Sequence, residues 1–458
     1  MAKESFMNRS RTMDLSQGNI LKQLLIFALP LLAGQVFQSL YNSVDSIVIG
    51  NFEDANALAA VTASASVALI ISGFFNGMSA GATAMMAKLF GARDFKRLHD
   101  AIHTTILFSI ILGFVLAGLG IIFTPALLNF TSCPLEVFVM AVVYLRIYLI
   151  GVLFTSIYNI GAGVLRSVGD SQSPFVFLVI SSVLNIVLDI LFVGPMKMGV
   201  AGVAVATIIA QAVSMALVFW KIMRMDDEYR LRLSHLMIDW QLLSEVVKLG
   251  IPAGLQTSIT AISNLYVQHY INSFSAAAIA GIGSAMKIDQ FAGMPCLTLG
   301  LGMTTFIGQN LGAGKVKRAH RSVGIATLMS AAFVVVLCIP IYIFAPQLIR
   351  IFSPDADVIM YGSGMLKVIM PLYIFMGLHA LYGGILRGFR YSLTSMICSL
   401  SGMVVLRQIW LAITLNNFGH NINFIYYCYP LGWIIALASM LFVYLVIIRK
   451  KFPPVKES

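Results

Sequence analysis

Residues 91–99 read GARDFKRLH, and residues 312–320 read GAGKVKRAH. The Gly-Ala pair, the Lys-Arg pair and the histidine return in the same register 221 residues later. Working outward, Gly81 and Thr83 return as Gly302 and Thr304, and Pro125 as Pro346. Gly163-x-Leu165-Arg166 returns as Gly384-x-Leu386-Arg387, and the cation Arg146 as Lys367. Pro30 and Pro252 lie 222 apart, so the register slips by one near the start. Self-similarity at a fixed offset means that the two halves are built alike.

Composition fixes the solvent for which those halves are written. Hydrophobic residues make up 59% of the 458 residues and charged residues 11%. The mean hydropathy is +0.88. A soluble domain carries about 25% charged residues, so this chain cannot cover a surface in water. Apolar runs of about 20 residues span a bilayer, and in hydrocarbon the backbone must satisfy itself as helix. The runs fall at roughly 24–48, 57–88, 102–123, 137–165, 175–194, 199–220, 246–272, 277–309, 323–345, 358–386, 393–415 and 424–448. The expectation is an all-α integral membrane protein of twelve transmembrane helices. The first twenty residues are polar, so no cleavable signal peptide is expected. The five cysteines are scattered, with neither a disulfide framework nor metal spacing.

Charge sets the orientation. With the amino terminus inside, twenty-four of the thirty Lys and Arg fall on inner segments and their edges, and only Lys197 and Arg350 on outer loops. That bias predicts cytoplasmic termini in a cell (inner) membrane. The net charge of +11 is then a topology signal that also anchors the chain on anionic lipid, and no nucleic-acid partner is expected. Six spans per half bring both copies in from the same side, as parallel repeats. The organisation read from this is an amino-terminal lobe over 1–220, a polar linker over 221–241 and a carboxyl-terminal lobe over 242–458. Two like bundles with a central seam suit an alternating-access carrier. A channel would favour a repeated polar ring, and none repeats. No paired-His spacing, Walker loop or nucleophile elbow points to an enzyme.

A charge inside hydrocarbon costs about 2.5–3.5 kcal/mol on insertion scales, which singles out Asp45, Asp189 and Asp289. Asp45 and Asp189 lie near the outer ends of the first and fifth spans, within roughly 5–8 Å of the boundary. Asn185 is one turn from Asp189 on the same face, and Thr207 lies about 12 Å into the sixth span at a similar depth. Two carboxylates, an amide and a hydroxyl suit a hard-oxygen cation site; the carboxylate pair equally suits sharing a proton. The plainer reading is that Asp45 reaches the outer interface and that Asn185 or Thr207 satisfies Asp189. Against it, the repeat positions of Asp189 and Asn185 are Trp410 and Leu406, so only one half carries the cluster. Lys287 and Asp289, two apart in the eighth span, do not share a face; either lines a cavity or is satisfied separately. Arg146 and Lys367 read as anchors, and Arg407, His269 and His379 as core groups. The 24 methionines suit an adaptable cavity.

The motifs together resemble the multidrug and toxic-compound extrusion (MATE) transporters. They are Ala28-Leu29-Pro30, Gln38-x-x-Tyr41-Asn42-x-x-Asp45, Gly50, Leu89-Phe90-Gly91-Ala92, Gly163-x-Leu165-Arg166, Gly169-Asp170, Asn185-x-x-x-Asp189 and Gly199-Val200-x-Gly202 leading to Thr207. The resemblance runs from about residue 20 to 450. It implies an exporter of small cationic or amphipathic compounds, driven by inward Na⁺ or H⁺ and needing no other cofactor. It places the coupling cation, or the metal if Na⁺, on Asp45, Asn185, Asp189 and Thr207. Tyr41 and Asn159 match associated polar positions, and with Gln256, Lys287 and Asp289 they are expected on the substrate cavity. Another branch uses acids in the seventh and tenth spans; here the seventh offers Gln256 and Asn264, and the tenth has no acid. The implied cycle has the cation neutralise Asp45 and Asp189 and shift the first helix near Pro30. The chain is expected to act as a monomer among membrane lipids. A lipid-linked saccharide flippase and a passive channel are the competing readings.

Overall fold

The computed structural model describes residues 12–52, 55–131, 133–419 and 421–453, with the side chains at 41–43, 45–47, 50–52 and 55 outside that description. Among the described residues, twelve long helices follow one another, most joined by short turns and the sixth and seventh by the longer segment 224–239. The first half contains α1 (Ile20–Phe52), α2 (Ala55–Gly91), α3 (Phe95–Phe130), α4 (Phe138–Ser167), α5 (Gln172–Val193) and α6 (Gly199–Met223). The second contains α7 (Trp240–Ile271), α8 (Ala276–Gly312), α9 (Val316–Ile343), α10 (Ala356–Gly388), α11 (Ser392–Asn417) and α12 (Asn423–Lys451). The end of the bundle at which α1 begins is the proximal end; the opposite end is distal.

Eleven of these helices are long and apolar enough to cross a membrane. The exception is α7, which has 32 residues but is diluted by Gln256, Thr257, Ser258, Thr260, Ser263 and Asn264. Several of those groups are used against other helices. Thr257 Oγ1 donates to the Gly73 carbonyl of α2, and Ser258 Oγ donates to the Ile70 carbonyl. A span that lines a seam between lobes loses hydropathy without losing its place in the bilayer.

The repeat is visible bond by bond. Thr83 Oγ1 donates to the Gly163 carbonyl at 3.1 Å, and Thr304 Oγ1 donates to the Gly384 carbonyl at 3.0 Å. Both α2 and α8 are 37 residues long. At about 1.5 Å per residue that is well over the roughly 30 Å of hydrocarbon, so both project past it. Each ends in the same turn: the Ala92, Arg93 and Asp94 amides close onto Lys88, Phe90 and Leu89, as those of Ala313, Gly314 and Lys315 close onto Gln309, Leu311 and Asn310. Arg93 takes a φ of 56° where its counterpart is Gly314, at 72°.

The two copies of that turn meet each other. A Cβ on Gly91 would fall well inside 3.0 Å of the Gln309 carbonyl oxygen, and one on Gly312 equally close to that of Lys88. Gln309 is the repeat counterpart of Lys88, so the contact is self-complementary about the axis relating the lobes. From this crossing the seam runs along α2 and α7. Gly81 lies on Gly250, and Gly77 on Ala253, with no room for side chains between the backbones. Among the described residues, the interlobe hydrogen bonds lie between the proximal end and the level of Ile70 and Ser258. From that level an apolar groove opens, lined by Val67, Ile71, Phe123, Leu127 and Ile262 among others.

A strap formed by residues 12–19 crosses the proximal face before α1. The Leu15 amide donates to Gln309 Oε1 at 2.9 Å, and Asn310 Nδ2 donates back to the Leu15 carbonyl at 3.2 Å. Arg318 donates to the carbonyls of Leu15, Gln17 and Gly18 and to Gln23 Oε1. Burial pushes the Asp14 carboxyl up, but hydrogen bonds from Ser16 and Gln17 and the nearby Lys315 outweigh this and hold it below its usual value. Arg318→Ala removes the donors that hold the strap. We expect faster trypsin cutting at Lys22 and a loss of about 1–3 kcal/mol, the worth of charge-assisted hydrogen bonds. An unchanged digestion rate would show that Gln309, Asn310 and Lys315, which donates to the Ser16 carbonyl at 3.0 Å, suffice to hold the strap.

Candidate functional site

The first lobe closes its distal end with an apolar cluster. Val48 and Ile49 of α1 pack there with Val61 of α2, Tyr144 of α4, Val193 of α5, and Val203 and Ala204 of α6. One turn proximal of Val193 lies Asp189, and one turn further Asn185; both are fully buried. One turn along α6 from Val203 lies Thr207, also buried. All three are engaged by neighbours. α5 runs into α6 through the tight turn 194–198, where Lys197 and Gly199 adopt positive φ, and the two helices stay packed. α1 rests on α5 through Gly34 against Leu178 and through the edge-on Phe37–Phe175 pair at 5.9 Å. The backbone therefore places position 45 one turn proximal of Ile49, on the helix that covers α5. The side chains of Tyr41 and Asp45 lie outside the described residues.

This arrangement has chemical consequences. A carboxylate in a dry helical bundle carries a large desolvation cost, relieved by a bound cation or proton. Asn185 and Thr207 can offer only neutral oxygens as ligands, which suits a hard monovalent cation better than a transition metal. Among the described residues, no group of three His, Cys, Asp or Glu is arranged to hold a metal ion. The polar set also extends where sequence gave no prompt. Gln211, one turn beyond Thr207, faces Gly151 of α4, and its Oε1 has no hydrogen-bond partner among the described residues. Thr155 Oγ1 on α4 is likewise buried and unpartnered. Asn159, one turn from it, donates to the Thr155 carbonyl at 3.0 Å, and its own carbonyl accepts from Ser79. These groups make a polar lane through the lobe core.

The second lobe has no such cluster at the matching positions. Leu406 and Trp410 stand there, and Trp410 Nε1 donates to the Phe424 carbonyl at 3.0 Å. The other sequence-selected residues are dispersed. Gln256 keeps a buried Oε1 without a partner among the described residues. Lys287 is exposed, with its Nζ 5.6 Å from the Phe352 ring centroid. Asp289 points the other way: Tyr373 donates to its carbonyl at 2.9 Å, and its Oδ1 is buried without a partner. Arg146 and Lys367 are both exposed, as anchors would be. His379 is satisfied by Ser399 Oγ at 3.0 Å. Two residues depart from the expectation of a satisfied core group: His269, in the last turn of α7, is exposed, and Arg407 is buried but incompletely partnered. It is 1% exposed, yet its Nε and Nη1 find no partner among the described residues.

Comparison with known proteins agrees with this architecture. The family model MatE matches twice, over residues 30–191 and 252–413. The probable multidrug resistance protein YpnP of Bacillus subtilis is 29% identical over 86% of this chain and 88% of its own length. An FAD transporter of Shewanella oneidensis is 26% identical over 84% of this chain and 85% of its own. Among solved structures, one described as the outward-facing conformation of a multidrug resistance MATE family transporter of the MOP superfamily superposes with a TM-score of 0.88. It is 22% identical and covers 96% of this chain and 99% of that one. The two MatE matches fall one on each six-helix half and together take in more than half the chain, which therefore belongs to the MatE family of membrane transporters.

Proposed function

We propose that this chain is a Na⁺- or H⁺-coupled antiporter that exports small cationic or amphipathic compounds by alternating access. The observation that carries the reading is the buried Asn185–Asp189–Thr207 set beneath an apolar distal cap, present in one lobe of a duplicated fold. A duplicated scaffold preserves its packing in both halves; a fully buried acid kept in one half alone marks a task. The basic proximal end faces the cytoplasm of a cell membrane in this reading, as the positive-inside bias requires. The interlobe hydrogen bonds then close the cytoplasmic side, and the distal opening faces outward. The likeness to an outward-facing MATE structure supports that state. The relative named for multidrug resistance supports the substrate class.

In the proposed cycle a cation enters from the distal side and neutralises the acids of α5 and α1. That removes their desolvation cost and their mutual repulsion, so α1 can change its lie on α5. The same helix is tied at its proximal half to the other lobe, where Leu24 and Phe27 pack with Leu299, Met303 and Phe306. α1 is thus the element through which ion occupancy in one lobe reaches the interface. Pro30, inside α1, removes one backbone hydrogen bond between the two attachment regions and eases bending there. Each charge moved inward contributes about 2.3 kcal/mol per 100 mV.

The test is ethidium efflux from proteoliposomes with Na⁺ and pH gradients imposed separately. Efflux accelerated by one gradient, and abolished when that gradient is collapsed, is the expected result and identifies the ion. Efflux of ethidium and other organic cations that ignores both gradients would overturn the antiporter reading.

A further inference from the structure

Arg407 is the largest fully buried side chain among the described residues. It follows a π-helical stretch of α11, Ser401–Leu406, an irregularity that often marks a functional position. Its Nη2 donates to Ser263 Oγ at 2.6 Å and to Asn264 Oδ1 at 2.9 Å, both on α7. One face of the guanidinium is covered by Tyr429, whose ring centroid lies 5.7 Å from Cζ. Nε, Nη1 and the Tyr429 hydroxyl are all buried with no hydrogen-bond partner among the described residues. None of the ion pairs found among those residues includes Arg407.

A guanidinium stays charged in any protein environment. Buried without a counter-charge, it is among the costliest groups a membrane helix can hold. Two neutral acceptors on one nitrogen leave most of its donors facing nothing. The chemistry that completes it is an oxyanion: a carboxylate, phosphate or sulfonate accepts from a guanidinium fork and supplies the missing charge.

The approach to it runs through Asn264. Seven residues separate Asn264 from Thr257, which places them on the same face of α7. At Thr257 that face is bonded to Gly73 of α2. At Asn264, distal to the last interlobe hydrogen bond, the residue is exposed. The oxygen that caps Arg407 therefore stands on the face of α7 that looks across the gap between the lobes, with the guanidinium behind it.

We propose that the second lobe carries an anion subsite on Arg407, screened by Asn264 and flanked by Tyr429, that takes the oxyanion group of an amphipathic cargo. This rests on the proposed exporter reading and deepens it. The accepted cargo then includes carboxylate-, phosphate- or sulfonate-bearing amphiphiles, not organic cations alone.

The probe is fluorescein, which carries a carboxylate, compared with ethidium, which carries none. Equilibrium binding of each dye to the purified full chain in detergent is followed by fluorescence anisotropy. Fluorescein should bind the unaltered protein, and Arg407→Gln should weaken it about tenfold or more, with ethidium binding changed less than twofold. Arg407→Lys, which keeps charge but not the fork, should fall between. Asn264→Asp is the second variant, chosen because it gives Arg407 a carboxylate within the protein and leaves the fold its hydrogen bond. It should weaken fluorescein as Arg407→Gln does, without weakening ethidium. Fluorescein binding that is absent from the unaltered protein, or unmoved by both Arg407→Gln and Asn264→Asp, would overturn the subsite. Binding needs no ion gradient, so this result is independent of whether export is ion-driven.

Discussion

Asp189→Asn should reduce gradient-driven ethidium export at least tenfold while leaving the protein folded. Asparagine has the shape of aspartate and fits the same buried position on α5, so packing in the distal cluster of Val193, Val203 and Tyr144 is retained. What it lacks is the charge whose cost in a dry bundle a cation or proton would relieve. Without that term, ion occupancy no longer favours one position of α1 over another, and a ligand that binds both states equally shifts nothing. The matched control is Trp410→Phe at the repeat position in α11. It loses one hydrogen bond, to the Phe424 carbonyl, and should lower stability by about 1 kcal/mol with gradient coupling intact. Efflux and thermal melting on both variants separate the two roles. Asp189→Asn with unimpaired coupling would remove the first-lobe cluster from the mechanism.

The second large effect is expected at the crossing of α2 and α8. Gly91→Val and Gly312→Val each place a branched side chain where even a Cβ would lie well inside 3.0 Å of a backbone carbonyl oxygen. Backbone cannot yield as a flexible side chain does, so the lobes must separate at the proximal end. Overpacking a well-fitted contact costs about 1–3 kcal/mol, concentrated on the state in which the proximal seam is closed. Export should fall severalfold or more in both variants, and by similar factors, because the contact is self-complementary. Gly283→Val, at a glycine of α8 with open space around it, is the control and should leave export near normal. Efflux rates of the three variants check this directly. A large loss in only one of Gly91→Val and Gly312→Val would mean that the crossing is not symmetric in its effect.

Much of this could be read from the chain before its coordinates, for identifiable reasons. The GARDFKRLH and GAGKVKRAH stretches stand out because the contact they form is made twice, once from each side, and tolerates little change. Asn185 and Asp189 stand out because an acid in an apolar run is an anomaly that hydrophobicity cannot explain away. Thr207 was legible from its depth in the sixth span, level with Asn185, and again from the family pattern. Uncharged polar groups give no such contrast: Thr155 and Gln211 are ordinary residues of apolar helices until α4 and α6 are brought together around them. Arg407 was visible as a charge, but whether it is satisfied depends on what α7 and α12 present to it, which is a tertiary fact. The sequence marks the tract before α1 only as polar, and the fold shows Arg318 and Gln309 holding residues 12–19 across the proximal face. The span at 246–272 was legible as an apolar run even though the seam-lining polar groups of α7 lower its hydropathy.

Coupling of an ion to export by the buried oxygens of the first lobe has a direct test in running the exchange backwards. Proteoliposomes are given an ethidium gradient and no ion gradient, and the opposing movement of ²²Na⁺ or of protons is recorded for the unaltered chain and for Asp189→Asn. Ion movement opposite to the dye is expected in the unaltered protein, and none above leak in Asp189→Asn. Dye-driven ion movement that persists in Asp189→Asn would remove the first-lobe oxygens from the coupling.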